Sequence, residues 1–80
     1  MQLEIITPGK QLFAGEIKLV QVPGSGGLFE ILNNHAPIIS TLDKGKIKIE
    51  NPEGEKSFFE IEGGVIEAKS NHIIILAEVS

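Results

Sequence analysis

Apolar and polar residues alternate with a period of two along several stretches of the chain. Residues 46–50 place isoleucine at every second position between charged side chains, and residues 59–62 and 17–19 follow the same pattern. Successive side chains of a strand point to opposite faces of the sheet, so this period is typical of half-buried strands. No window of eleven residues shows convincing helical spacing of apolar residues. The pattern therefore predicts strands and no helix.

Turn-forming residues separate these stretches. Residues 51–54 read Asn-Pro-Glu-Gly, in which proline presets a turn and glycine accepts a positive φ, and they predict a hairpin. Residues 69–72 predict a second hairpin, because asparagine tolerates the left-handed conformation of a tight turn. Residues 8–9 predict a turn after the first strand, and residues 23–27 predict a loop. Residues 63–64, both glycine, predict a bulge or a sharp bend. Such regular spacing of turns predicts an all-β sandwich or barrel.

Six pairs of adjacent apolar residues interrupt the alternation. In a strand the two members of such a pair face opposite sides, and a sandwich offers only one inner face to each strand. One member of each pair is therefore expected to face outward unless the pair falls at a strand end or a bulge. Several outward members on one sheet would form an apolar patch that needs a docking partner. The pairs are Ile5 with Ile6, Leu12 with Phe13, Leu19 with Val20, Ile38 with Ile39, Phe58 with Phe59, and Val65 with Ile66.

The length of the chain adds a reason to expect a partner. Its 80 residues predict one domain, residues 1–80, and a domain of this size buries only about 60 to 65% of the surface of its unfolded chain. Disulfides, a metal or a partner commonly reinforce such small cores. The sequence contains no cysteine, and its two histidines are too far apart in sequence for an ordinary zinc pair. We therefore expect no metal and no cofactor.

Charge and hydropathy narrow the classes of partner. The net charge is −4, and no cluster of three basic residues occurs, so nucleic acid is not an expected partner. The longest apolar run, residues 73–77, is far shorter than the roughly 20 residues that span a bilayer. The first residues lack a cationic segment followed by an apolar one. These features lead us to expect a cytoplasmic location.

Residues 33–41 read Asn-Asn-His-Ala-Pro-Ile-Ile-Ser-Thr. His35 is the one side chain among them that could act as an acid or base near neutral pH. A small hydrolase would need a nucleophile or an orienting carboxylate beside it, and the nearest acids in sequence lie beyond the flanking apolar residues. The asparagines supply left-handed geometry, and Pro37 fits the start of a strand. The stretch indicates a shaped loop rather than a reactive one.

Two other segments admit chemical interpretations. Residues 23–27 are rich in glycine but lack the lysine and hydroxyl of a phosphate-binding loop, so a conformable loop is favoured. Lys69 stands before a predicted turn in the context Glu-Ala-Lys, as the modified lysine of a biotinyl or lipoyl carrier domain would. The methionine of that context is absent, which favours a solvated lysine beside a turn. The carrier domain is kept as an alternative function.

Taken in order, the motifs resemble the N-terminal domain of the epsilon subunit of bacterial F-type ATP synthases. The resemblance covers essentially the whole chain. Its signature is a loop reading Gly-His-Ala-Pro, two apolar residues and Thr or Ser, followed about thirty residues later by a Gly-Gly-apolar-apolar-Glu strand. The matching segments are residues 3–7, 12–16, 20–24, 27–32, 35–42, 45 and 63–67.

Three departures from the family pattern affect the interpretation. Asn33 and Asn34 replace the usual Pro and Gly, and the turn remains plausible because asparagine tolerates positive φ. Leu28 stands where an acidic residue often occurs, and Glu30 could substitute for it. The sequence ends at Ser80, where most members continue into an inhibitory helical hairpin, so we expect that hairpin to be absent from this chain.

The resemblance implies a flattened two-sheet β-sandwich of about ten mostly antiparallel strands. It implies a non-catalytic subunit of the central stalk that fixes gamma to the ring of c subunits, and so couples ring rotation to ATP synthesis. Such a subunit would lie on the cytoplasmic face of the bacterial inner membrane and meet the membrane only through the ring. The implied gamma interface is His35, Ala36, Pro37, Ile38, Ile39 and Ser40. The implied c-ring interface is Ser25, Gly26, Gly27, Leu28 and Glu30.

Overall fold

A computed structural model describes all residues, 1–80, and consists of nine strands joined by turns and short loops. The fold is all-β, as the alternation predicts, with nine strands where about ten were expected. No helix in it is long and apolar enough to cross a membrane. The strands are β1 Gln2–Thr7, β2 Lys10–Glu16, β3 Leu19–Gly24, β4 Gly27–Leu32, β5 Ile38–Leu42, β6 Gly45–Glu50, β7 Lys56–Ile61, β8 Gly63–Lys69 and β9 His72–Glu78.

The strands form one curled sheet that folds over itself into two layers. The first layer has the order β2-β1-β9-β8-β5, and in the second β3 lies between β4 and β6, with β7 beside β6. The layers are joined where β3 meets β5 through the single pair of Gly24 and Leu42. The pairing is antiparallel throughout except between β1 and β9, which run parallel. The expected sandwich of mostly antiparallel strands is therefore present.

The core lies between the layers and is built from the inward members of the alternating pattern. Its leucine, isoleucine and valine side chains fill the space between two sheets, which pack about 10 Å apart. Phe13 of β2 and Phe59 of β7 meet edge to face with centroids 6.1 Å apart, and they close one side of the core. Eleven large side chains are fully buried: Leu3, Ile5, Ile17, Val20, Val22, Ile31, Ile47, Ile61, Ile66, Ile73 and Ile75.

Both predicted hairpins are confirmed. The Asn51 side chain accepts hydrogen bonds from the backbone N–H groups of Glu53 and Glu55 between β6 and β7, and Gly54 has φ +88°. Between β8 and β9, Ser70 and Asn71 have φ of +52° and +62°. Local turn chemistry thus fixes the register of both strand pairs.

Of the bulge or sharp bend expected at Gly63–Gly64, the structure has a bend, one residue earlier. The chain bends at Glu62, and both glycines then pair regularly with β9. A Cβ atom on Gly64 would collide with the carbonyl oxygen of Leu76, so glycine is needed for close approach of β8 to β9. The register shift that does occur lies between Ile5 and Ile6, where Leu12 of β2 is left without a partner on β1.

Candidate docking surfaces

The two predicted interface segments lie at opposite ends of the sandwich. The β3–β4 turn at Ser25 and Gly26 is at one end, which we call the Ser25 end. From the Ser25 end, β4 runs to the loop of residues 33–37 at the other end, which we call the Asn34 end. β5 then runs back toward the Ser25 end. Six strand residues separate the two ends by about 20 Å. The predicted c-ring segment and the predicted gamma loop are therefore separate surfaces.

Hydrogen bonds hold the turn at the Ser25 end against β5. The Ser25 hydroxyl lies 2.7 Å from Thr41 Oγ1 and donates to Asp43 Oδ1 at 3.2 Å, while the Ser25 N–H donates to the Thr41 carbonyl. Leu28, the next outward-facing residue, is 68% exposed. The turn is therefore exposed to solvent and held in position by Thr41 and Asp43.

Glu30 lies farther along β4 and already has partners on its own layer. One of its carboxylate oxygens is 4.0 Å from Lys48 Nζ and accepts a hydrogen bond from Gln21 Nε2 at 3.3 Å. These contacts are solvent-exposed and individually weak. Glu30 is thus held on the outer side of β4, two residues beyond Leu28, and remains accessible to a polar partner.

The loop at the Asn34 end is exposed and fixed by its neighbours. Asn34 adopts φ +64°, as its sequence predicts, and its N–H donates to Asn71 Oδ1 at 2.8 Å. The His35 N–H donates to the Leu32 carbonyl, and the His35 ring bonds the carbonyl of Ala36 at 2.7 Å. The ring has no carboxylate among its hydrogen-bond partners. This geometry suits a shaped loop and offers no catalytic pair.

The strand after this loop divides the predicted gamma residues between two faces. Pro37 is exposed and directly precedes β5. Ile38 is half-buried and packs against the core, whereas Ile39 is 71% exposed on the outer face. Ser40 is half-buried and donates to the Thr41 carbonyl at 3.0 Å. Of the three β5 residues predicted to contact gamma, only Ile39 presents a large side chain to solvent.

Strand register places further apolar residues on the same outer side of the first layer as Ile39. Val65 of β8 pairs with Leu76 of β9, which in turn pairs with Ile6 of β1. Ile39 and Ile74 lie on the same outer side of the sheet, in the row of paired residues next to that of Val65 and Leu76. We call the five residues Ile6, Ile39, Val65, Ile74 and Leu76 the apolar face.

Three residues of the apolar face are exposed to solvent, and the other two are half-buried. Leu76 is 54% and Val65 40% exposed, while Ile6 and Ile74 are half-buried. Glu67 lies between Ile39 and Ile74 in the paired rows, and Glu4 beyond Ile74 bonds His72 at 3.0 Å. Val65, Leu76 and Ile6 thus form a continuous apolar row, and in the row beside it apolar and acidic side chains alternate; protein interfaces combine apolar and polar contacts in this way.

Part of this face was predictable from the sequence. Three of the six apolar pairs, those containing Ile6, Ile39 and Val65, contribute their outward member to it. Leu76 and Ile74 were not among the predicted site residues, although the unbroken apolar run 73–77 carried the signal that both sides of β9 are apolar. The outward members of two other pairs, Leu19 and Phe58, lie on the opposite layer.

The outer side of β6 and β7 in that second layer is mainly charged. Glu50 lies 3.1 Å from Lys18 and 3.7 Å from Lys56. The hydrogen bond from Lys18 and the positive charge of both lysines hold the pKa of the Glu50 carboxyl below its ordinary value, although partial burial acts in the opposite direction. Phe58 is 59% exposed among these charges. The β6–β7 half of this layer therefore differs in character from the apolar face, whereas its β4 edge exposes Leu28 and Leu32.

These surfaces belong to a known type of domain. The family model for the ATP synthase delta/epsilon chain, β-sandwich domain, matches residues 1–80. The chain belongs to this family. The confirmed parts of the resemblance are thus the family and the all-β fold, and an epsilon chain is a non-catalytic subunit of its complex.

Proteins named ATP synthase epsilon chain are similar along almost the full length of this chain. The protein from Chlorobium limicola is 40% identical over 77 residues, which are 96% of this chain and 88% of that protein. The Chlorobaculum tepidum protein is 41% identical and 86% covered. The Dichelobacter nodosus protein is 38% identical, but the chain spans only 54% of its length. Relatives of this family thus differ in how far they extend beyond the domain.

Solved structures share the fold. A chain from the cryo-EM structure of the Euglena gracilis mitochondrial ATP synthase, OSCP/F1/c-ring in rotational state 1, matches with TM-score 0.89 and 18% identity. It is matched over 94% of this chain and 48% of that one. A chain from the Tetrahymena thermophila mitochondrial ATP synthase central stalk and c-ring gives TM-score 0.80 at 17% identity, over 96% and 62%. At these identities the likeness concerns the fold alone.

The family assignment also bears on Lys69. The residue is exposed at the end of β8, directly before the turn of Ser70 and Asn71. A lysine beside a turn has this position in any hairpin, and the family match is to ATP synthase chains. The epsilon interpretation is therefore favoured over the carrier domain.

Proposed function

We propose that this chain is a rotor subunit of an F-type ATP synthase that docks at once on gamma and on the c-ring. The observation that carries the proposal is the apolar face, which presents three exposed aliphatic side chains and two half-buried ones on adjacent strands. An exposed apolar cluster of this kind on a small domain calls for a partner. Family membership supplies the class of complex in which that partner occurs.

Gamma is assigned to the apolar face and the adjoining loop at the Asn34 end. Ile39, the most exposed residue of the apolar face, would be covered by gamma, and the exposed loop would meet the edge of the interface. The fixed positions of Asn34 and His35 support this assignment, because a loop that is already ordered loses little conformational entropy on binding. The gamma-contacting set is His35, Ala36, Pro37, Ile38, Ile39 and Ser40, with Ile38 and Ser40 supporting from the inner side.

The c-ring is assigned to the Ser25 end. Its turn is polar and hydrogen-bonded to β5, which suits contact with the polar loops of a ring. Leu28 adds an apolar contact where relatives often carry an acid, and Glu30 supplies a carboxylate nearby. The contacting set is Ser25, Gly26, Gly27, Leu28 and Glu30. Because this end lies about 20 Å from the other, both partners could be held simultaneously.

The function is mechanical. Torque applied at the Ser25 end would pass through the β3–β4 hairpin and β5 to the gamma-contacting end. The chain contains 48 backbone hydrogen bonds, 39 of them within strands, so these elements resist bending as one body. Ring rotation would thus become gamma rotation, and slip at either contact would uncouple ion flow from ATP synthesis. The subunit would lie on the cytoplasmic face of the membrane, which it would contact only through the ring.

Site-specific cross-linking in the assembled ATP synthase tests the assignment. A photoreactive amino acid replaces Ile39, Leu28 or Phe58 in turn, and the cross-linked chains are identified by mass spectrometry. Position 39 is expected to capture gamma and position 28 a c subunit, while position 58, equally apolar on the opposite layer, captures neither. Capture of gamma from position 58 but not from position 39 would contradict the assignment of the faces.

A further inference from the structure

Glu67 places a negative charge within the apolar face. It lies on the outer side of β8 and is exposed. Strand register pairs it with Ile39 of β5 on one side and with Ile74 of β9 on the other. Directly paired residues of antiparallel strands have Cβ atoms about 4.5–5.5 Å apart, so the carboxylate stands between two isoleucine side chains. Any partner that covers both isoleucines therefore also covers Glu67.

No cation of this chain neutralises that carboxylate. The ion pairs of the chain involve other acids. Glu4, the other acid in this row of paired residues, bonds His72 at 3.0 Å. Lys69 lies two residues beyond Glu67 on β8 and makes no ion pair either. Of the two acids in the row, only Glu67 is thus left without a charged partner.

Burial of Glu67 without a counter-charge would oppose docking. Water hydrates the carboxylate in the free chain, and covering an ionised carboxylate that has no partner is strongly unfavourable. The proposed gamma interface joins Ile39 to the loop at the Asn34 end, and Ile38, which follows that loop, pairs with Ala68 directly after Glu67. Glu67 therefore lies within the outline of that interface, where a positive charge from the partner would offset the loss of hydration.

We propose that gamma places the guanidinium group of an arginine on Glu67, between Ile39 and Ile74. A guanidinium is planar, can donate two parallel hydrogen bonds to one carboxylate and is weakly hydrated. It therefore suits a site with apolar walls better than the compact, strongly hydrated ammonium of lysine does. This contact rests on the proposed function, since gamma is its partner. It would fix the orientation of gamma on the apolar face, because apolar contacts alone are non-directional.

The test measures binding of purified gamma to the native, Glu67→Gln and Glu60→Gln chains by titration calorimetry. Glu67→Gln keeps the size of the side chain and removes its charge. It is expected to raise the Kd for gamma about tenfold or more, because the arginine would then be buried without its counter-charge. Glu60→Gln is the matched control, since it removes the same charge from the exposed outer side of β7 in the opposite layer, and it should alter the Kd less than about twofold.

The sign of the change separates the proposal from its alternative. If gamma covered Glu67 without bringing a cation, Glu67→Gln would bind more tightly than the native chain, because a neutral amide is easier to dehydrate than a carboxylate. Tighter or unchanged binding would overturn the proposal. The midpoint of urea unfolding should be the same in Glu67→Gln and the native chain, because the side chain is exposed before docking, so weaker binding would reflect the lost contact rather than the fold.

Double-mutant cycles identify the partner group. Each arginine of gamma is replaced by glutamine in turn, and binding is measured with the native and Glu67→Gln chains. One replacement is expected to weaken binding of the native chain about tenfold or more but to change binding of the Glu67→Gln chain less than about threefold, because the pair is already broken. Coupling of Glu67→Gln to Lys69→Met in this chain, and to no arginine of gamma, would assign the counter-charge to Lys69 and overturn the proposal.

The Ile39→Ala chain, titrated alongside, distinguishes failure of this contact from failure of the proposed function. If gamma binds the native chain and Ile39→Ala weakens the complex while Glu67→Gln does not, the function stands and the arginine contact is wrong. If gamma does not bind the native chain, the proposed function is wrong and the contact is wrong with it.

Discussion

Substitution of Ile39 examines the apolar face at its most exposed residue. Complete burial of an isoleucine side chain contributes about 1.5–3 kcal/mol, and 71% of this residue is still exposed in the free chain. If docking covers that part, Ile39→Ala should cost about seven-tenths of the range, or about 1–2 kcal/mol. Such a loss raises the Kd for gamma about 5- to 30-fold. Ile39→Asp should cost several kcal/mol, because it places an unpaired carboxylate in the interface.

The stability of the free chain should change little in both variants. Ile39 faces outward, so its replacement creates no core cavity and should alter the free energy of unfolding by about 0.5 kcal/mol or less. Phe58→Ala provides the matched control, because Phe58 is 59% exposed on the opposite layer. Its removal should change gamma affinity by less than about twofold. An effect confined to Ile39 would thus reflect the face rather than general loss of apolar surface.

Binding to purified gamma can be measured by titration calorimetry in dilute salt. Urea unfolding of each free variant supplies the stability comparison. Equal affinities for the native, Ile39→Ala and Ile39→Asp chains would refute the reasoning, because a carboxylate cannot enter a dry interface without cost. A Phe58→Ala chain that bound as poorly as Ile39→Asp would refute the choice of face.

Two further predictions concern the fold itself. Gly64→Ala should lower the free energy of unfolding in urea by about 2–3 kcal/mol, because the new methyl group collides with the Leu76 carbonyl. Gly26→Ala is the control, because the space around Gly26 is open, and it should change that free energy by no more than about 0.5 kcal/mol. Similar values for the two variants would contradict the close approach of β8 to β9. The lowered pKa of Glu50 means that the unfolded chain binds protons more readily in acid. The stabilisation by Lys18 is therefore complete above the unfolded value, about 4.3, and is lost as pH falls through the folded one. Glu50→Gln should lower stability at neutral pH and flatten its decline in acid, and an unchanged pH profile would contradict the ion pair.

Local chemistry explains why the hairpins could be predicted from the sequence. Gly54 and Asn71 adopt the positive φ that their residue types favour, and each turn joins strands that are adjacent in sequence. The alternation assigned residues such as Ile47 and Ile49 to the core, and both are buried. Where neighbours in sequence are also neighbours in space, propensity and period suffice.

Contacts between distant segments were beyond this reasoning. The parallel pairing of β1 with β9 joins residues about seventy positions apart, and no turn residue indicates it. That pairing is what brings Ile6 beside Leu76 and completes the apolar face. The hydrogen bond from the Asn34 N–H to Asn71 depends on the same kind of contact, because it joins the loop at the Asn34 end to the distant β8–β9 turn. For the candidate site, the sequence could therefore predict outward apolar residues but could not group them.

Affinity purification tests the central claim most directly. The tagged chain is isolated from detergent-solubilised membranes of its own host, and the accompanying chains are identified by mass spectrometry. We expect gamma and the c subunit in stoichiometric amounts together with the catalytic subunits. Recovery of the chain alone, from the soluble fraction, would contradict a rotor function and leave only the shared fold.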